Sequence, residues 1–186
     1  MAPLMSAGSV IGGFTGILLL IVAGKVTIGI YNDIVLLRND INKAWANIDV
    51  LLKQRNDEIP NLVEVVKGYR IQELTLLEKI AETRRQMLNE DEIPDLASSD
   101  SDLTEELNQL FALAEAYPQL KSDKTFIKLQ SRITRLENDI ADRRELYNDV
   151  TTRYNTKISS LPSLLVRPIF GWRHQPLFSL KESIPH

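Results

Sequence analysis

Residues 126–154 read FIKLQSRITRLENDIADRRELYNDVTTRY, and their apolar spacing decides the fold class. Phe126, Leu129, Ile133, Leu136, Ile140, Arg143, Tyr147, Val150 and Tyr154 follow one another in steps of three and four. That alternation puts them on one stripe of an α-helix, with charged and amide residues filling the other faces. The spacing predicts a helix over residues 123–158. Arg143 is the odd member of the stripe. A buried guanidinium without a partner is costly, so Arg143 is expected to meet a carboxylate or to mark a wet seam, in either case fixing register.

The same spacing recurs towards the N-terminus, where Ile30, Ile34, Leu37, Ile41, Ala44, Ile48 and Leu51 step by four and three. Pro60 interrupts this run. Proline is expensive in a helix interior and favoured at the first helical position, so one helix is expected to end near residue 58 and a second to run over residues 60–88. Residues 89–101 (NEDEIPDLASSDS) are polar and acidic and contain Pro94, which reads as a loop. Asp102 with Glu105 resembles a capping box that restarts the helix at Leu103, and Pro118 punctuates the chain again. If Pro60 only kinks a continuous helix, the alternative is a long kinked helical hairpin packed in an oligomer.

Before these helices lies a different solvent. No charged residue occurs from Leu4 to Gly24, and apolar character resumes after Lys25 as far as Ile30. About 20 apolar residues in a helix cross the hydrocarbon core, so residues 1–30 are long enough for a transmembrane anchor. A cleaved signal peptide needs a basic n-region, and residues 1–8 carry no Lys or Arg. Lys25, Arg38 and Lys43 all follow the span, which predicts a single-pass topology with the N-terminus outside and the bulk of the chain cytoplasmic. Gly8, Gly12 and Gly16 share one face of this helix, the spacing that lets helices approach closely in lipid.

Composition removes many activities. The chain has no cysteine, and both histidines, His174 and His186, are near its end. Thiolate chemistry, Ser/His/Asp triads and the Glu-x-x-His sites of di-iron bundles therefore lack their residues in the body of the chain. Residues 31–160 hold one glycine, Gly68, so phosphate-cradling loops are absent from that region. The net charge of −3 argues against nucleic acid as a partner. No catalytic residue, metal ligand or cofactor is expected.

Three ordered blocks carry a family resemblance. They are YNDIVLLRNDINKAWANIDVLLKQRNDEIPNLVEVVKGY (residues 31–69), LFALAEAYPQLKSDKTFIKLQSRI (residues 110–133) and RRELYNDVTTRYN (residues 143–155) followed by LPSLLVRPIFGW. The chain resembles the LemA family across nearly its whole length. The resemblance implies a membrane-anchored protein with an up-and-down antiparallel four-helix bundle, which agrees with the four segments read above. It implies no enzymatic activity, and one branch of the family is linked to magnetosome formation. Trp45, Asp49, Pro60, Asn61, Lys67, Gly68 and Tyr69 match the resemblance most closely. They are expected, with Arg143, Tyr147 and Tyr154, at bundle or subunit contacts, Gly68 allowing a close helix crossing. Gln72 stands where members often carry a histidine.

The tail differs in charge from the rest. Residues 151–180 contain Arg153, Lys157, Arg167 and Arg173 with no Asp or Glu, so the rest of the chain is acidic. They also contain Phe170, Trp172 and Phe178, the mixture of rings and cations that suits a membrane interface. An up-and-down bundle returns the chain end to the bilayer, so residues 164–178 are expected to pack at its surface or against the base of the first helix. The organisation read from sequence is an anchor (residues 1–30), a helical bundle (residues 31–160) and a basic, aromatic tail (residues 161–186). The expected role is a scaffold that self-associates and organises or shapes the bilayer. The rival is an adaptor for a membrane protease or transport complex, with that membrane protein as its partner.

Overall fold

Six helices make up the regular structure of the described residues: α1 (Ala7–Gly68), α2 (Leu74–Met87), α3 (Ile93–Ala114), α4 (Pro118–Lys121), α5 (Lys124–Ser159) and α6 (Ser163–Phe170). The computed structural model describes residues 7–69 and 73–179, with side chains from Gly12 onward. The surroundings of Gly8 and the position of Gln72 lie outside the described residues. The chain divides into two compact units. One contains the residues up to Asp40 with Arg153–Gln175, the other Ile41–Thr152 with the residues from Pro176.

The second unit is a four-helix bundle built from the C-terminal part of α1, α2, α3 and the N-terminal part of α5. Its pairings run antiparallel. Tyr69 meets Asp123, Glu58 meets Arg132 and Trp45 meets Tyr147 between α1 and α5. Thr83 bonds Glu106 and Ser99 bonds Glu90 across the α2–α3 hairpin, while Phe111 packs on Phe126 between α3 and α5. Ile48, Leu62, Val66, Ile80, Leu103, Leu107, Leu110 and Ile133 are fully buried between the helices. This is the up-and-down bundle expected from sequence, with different helix boundaries.

Pro60 does not end a helix; α1 runs through it to Gly68. Proline in a helix interior costs about 3 kcal/mol, partly because the carbonyl four residues earlier loses its donor. That carbonyl belongs to Asn56, and Arg84 Nε from α2 donates to it at 2.7 Å. The last turns of α1 also bury Leu62, Val63 and Val66, each contributing about 1.5–3 kcal/mol. Burial and the borrowed donor together outweigh the proline. The hairpin turn falls after Gly68 instead.

The acidic stretch is likewise a helix. Only residues 88–92 form the turn, and Pro94 occupies the first turn of α3, where its missing N–H has no helical acceptor to lose. Asp102 and Glu105 lie inside α3 rather than capping it. The breaks at Pro118 and the long final helix agree with expectation.

In the first unit, α1 and α5 are again antiparallel, joined by an ion pair from Lys157 Nζ to Asp33 Oδ2 at 2.9 Å. Ile30, Ile34, Tyr154 and Ile158 are buried there, and α6 closes the unit. N-terminal to this contact α1 is bare. Phe14, Ile17, Leu18, Leu19, Leu20, Ile21 and Val22 are all more than half exposed.

Candidate functional site: an aromatic corner and a buried charge cluster

The aromatic corner of the first unit begins at Tyr31, immediately after the apolar run. The Phe170 ring lies 5.2 Å from the Tyr31 ring and the Trp172 ring 6.5 Å, while Phe170 and Trp172 stack at 4.9 Å. Gly171 makes this geometry possible. It ends α6 with φ of +65°, the left-handed conformation that costs a residue with a Cβ, and sends Trp172 back over the helix. Arg167 Nε donates to the Trp172 carbonyl at 3.1 Å and fixes the return. Burial pushes the Tyr154 phenol above its usual pKa, opposed by Arg38 and Arg167.

The tail is then clamped along α5 by two asparagines. Asn155 Nδ2 donates to the Gln175 carbonyl, and the Gln175 N–H donates to Asn155 Oδ1, both at 2.9 Å. Asn148 does the same for Phe178 in the second unit, at 3.0 and 2.9 Å. Each side-chain amide satisfies both polar groups of one main-chain residue, as a neighbouring strand would. Phe178 is fully buried with its ring 5.9 Å from that of Trp45, and the Arg144 guanidinium lies 4.9 Å above it. Tyr147 Oη completes the dock by donating to the Pro176 carbonyl at 2.9 Å.

In these contacts Phe170 and Trp172 pack against Tyr31 of the first helix, the second of the two placements expected for residues 164–178. Phe178 and Trp172 turn inward, because the Asn148 clamp and the Gly171 reversal aim them at protein. Leu165 and Ile169 of α6, Leu161 just before it, and Arg173 face outward, the three leucine and isoleucine side chains at least 70% exposed.

The second feature is a charge cluster inside the bundle. Asp100 of α3 is fully buried and binds Arg55 of α1 through Oδ1 at 2.5 Å and Arg144 of α5 through Oδ2. Arg55 also donates to Thr104 Oγ1 at 3.1 Å. Glu137 lies beside this group. Burial raises its carboxyl pKa, Arg55 opposes the rise and Asp100 adds to it. The expected inward cation, Arg143, is solvent-exposed. Tyr147 and Tyr154 keep their expected places on the buried stripe, while Arg144 and Thr151 face inward in place of Arg143 and Val150.

The other residues singled out by sequence are scattered. Asp49 makes a surface pair with Lys53 at 2.7 Å, and Asn61 is exposed. Gly68 is no close-crossing point, since a Cβ there would meet nothing within 4 Å. Tyr69 donates at 2.7 Å to Asp123, whose other oxygen caps α5 by accepting from the Phe126 N–H at 2.8 Å. These hydrogen bonds hold the Asp123 carboxyl below its usual pKa. Gly12 and Gly16 have open space where a Cβ would stand. Among the described residues, no three acidic or histidine side chains converge to hold a metal ion.

Sequence comparison matches residues 44–185 to the LemA family. The chain belongs to the LemA family. It is 23% identical over 177 residues to the magnetosome protein MamQ 2 of Paramagnetospirillum magneticum, covering 81% of this chain and 65% of that protein. It is 28% identical over 137 residues to protein LemA of Metamycoplasma hominis, covering 72% of this chain and 61% of that one. The chain thus spans a little under two-thirds of the length of these curated relatives. Neither name is that of an enzyme. Family membership and the exposed apolar helix together point to a membrane-associated helical protein.

Proposed function

We propose that this LemA-family chain is a single-span membrane scaffold whose helical bundle self-associates and organises the bilayer, with no catalysis of its own. One observation carries the reading. The apolar part of α1 is long enough to cross a bilayer, and only 6% of its most apolar stretch is buried. Such a surface in water would be a severe aggregation liability, whereas in lipid it is the normal state of a spanning helix. The bundle then stands on the side carrying Lys25, Arg38 and Lys43, the cytoplasmic side by the positive-inside rule. Self-association draws support from the open faces at Gly12 and Gly16, where a second copy could approach closely.

Fractionation of cells expressing the full chain, with an alkaline carbonate wash, tests the anchor, and protease accessibility in spheroplasts tests its orientation. Particle size in mild detergent tests the scaffold. Large homo-oligomers that shrink in Gly12→Leu or Gly16→Leu support it. A particle that is small alone and grows only with a membrane-protein partner supports the adaptor reading instead.

A further inference from the structure

Helix α6 has two faces, and protein covers only one. Ser163 is buried, Val166 is partly covered and Phe170 lies on Tyr31, while Leu165 and Ile169, with Leu161 on the turn just before the helix, form an apolar strip 70–77% exposed. We infer that this strip is an interfacial foot that docks on the surface of an anionic phospholipid bilayer. The inference rests on the reading of α1 as a membrane span and says which further part of the chain touches that membrane.

Position argues first for lipid. The contact that holds α6 is Tyr31, and α6 belongs to the same compact unit as the apolar part of α1. At 1.5 Å per residue, the helix from Gly12 to Tyr31 is about 28 Å long, close to the thickness of a hydrocarbon core. A span over this stretch brings Tyr31, and with it α6, to headgroup level. Lys25, a turn and a half earlier, can extend its ammonium to the same level.

Charge argues second. From Thr151 to Leu180 the chain has four Lys or Arg and no Asp or Glu, although the whole protein has net charge −3. Arg173, on the turn after α6, is exposed. Lys157 is paired with Asp33, which leaves Arg167 and Arg173 as the cations beside α6. A short helix with an uncovered apolar strip and adjoining cations matches the chemistry of an anionic leaflet. The tryptophan and phenylalanine of the tail act from behind. By packing on Tyr31 with tilted rings, Trp172 and Phe170 fix α6 at the required height.

Because the chain has no cysteine, single labels can be placed cleanly. Leu165→Cys, Ile21→Cys and Asn108→Cys variants of the full chain, each carrying an environment-sensitive fluorophore, are reconstituted in nanodiscs of phosphatidylcholine and phosphatidylglycerol. Nitroxides sit either at the headgroup or deep in the acyl chain. The expected result is deep quenching at position 21, headgroup quenching at 165 several-fold above that at 108, and a several-fold fall at 165 when phosphatidylglycerol is omitted. Quenching at 21 but not 165, with 165 open to aqueous iodide, overturns the foot and leaves the span standing. A 165 label shielded from both nitroxide and iodide overturns it in favour of a protein contact. Equal quenching in neutral lipid overturns the anionic surface. Absence of quenching at 21 overturns the foot together with the span.

Discussion

Arg84 Nε lies 2.7 Å from the main-chain carbonyl oxygen of Asn56, so α2 supplies the hydrogen bond that Pro60 withholds from α1. The pair explains how a helix tolerates an interior proline and ties α1 to α2 at the same point. Arg84→Met should destabilise the bundle by about 1–3 kcal/mol by leaving a half-buried carbonyl unpaired. In a Pro60→Ala background, residue 60 provides its own N–H, and the cost of Arg84→Met should fall by at least about 0.5 kcal/mol. Urea unfolding of the four proteins in mild detergent measures this coupling. Strict additivity would show that Arg84 acts only by packing.

Asp100 is the common anion of two guanidiniums drawn from different helices. Its replacement by asparagine removes the carboxylate that both Arg55 and Arg144 bind, leaving Glu137 as the nearest anion. The expected loss is about 3–5 kcal/mol, the usual consequence of breaking a buried ion pair from one side. Asp49→Asn breaks only the surface pair with Lys53 and should cost under about 0.5 kcal/mol. Similar losses in both variants would contradict the buried cluster.

Glu137 makes stability depend on pH. Burial raises its carboxyl pKa in the folded chain, so the folded state keeps a proton that the unfolded state releases. This contribution is fully present below the unfolded value of about 4.3 and is lost as pH rises through the folded value. The wild type should therefore lose stability relative to Glu137→Gln as pH rises across that interval. Thermal melts of both proteins over the acidic range give the difference. A difference that stays flat, or that grows in the opposite direction, excludes Glu137 as the source.

Much of this architecture was legible because helical burial repeats with a period that sequence displays. The seams of α1 and of α5 as far as Ile140 appear directly in the spacing of Ile and Leu. What escaped depends on partners distant in sequence. Pro60 reads as a break unless Arg84 is known to replace its missing donor. The acidic run before Leu103 reads as solvated loop unless Asp100 is known to meet two arginines. Arg143 and Arg144 are adjacent cations, and only the position of Asp100 decides which one turns inward. The tail clamp did leave a signal. The dipeptide Tyr-Asn occurs at 147–148 and again at 154–155, seven residues apart and therefore on one face of α5. Tyrosines at that spacing read as core. The amide beside each one, whose side chain can pair with an extended main chain, is the part that marks the clamp.

That clamp makes a separable prediction in the bundle. Phe178→Ala removes a fully buried ring from its contacts with Trp45 and the Arg144 guanidinium and should cost about 3–5 kcal/mol. Asn148→Ala leaves the ring intact but removes the two hydrogen bonds that hold its main chain, with a smaller expected cost of about 1–3 kcal/mol. Both substitutions release the same segment from the same groove. The second should therefore add little once the first is present, and the double variant should resemble Phe178→Ala alone. Hydrogen exchange at the Phe178 amide provides an independent readout, since that N–H donates to Asn148. Protection should disappear in both single variants. If it survives in Asn148→Ala, the ring alone holds the tail and the asparagine clamp is incidental.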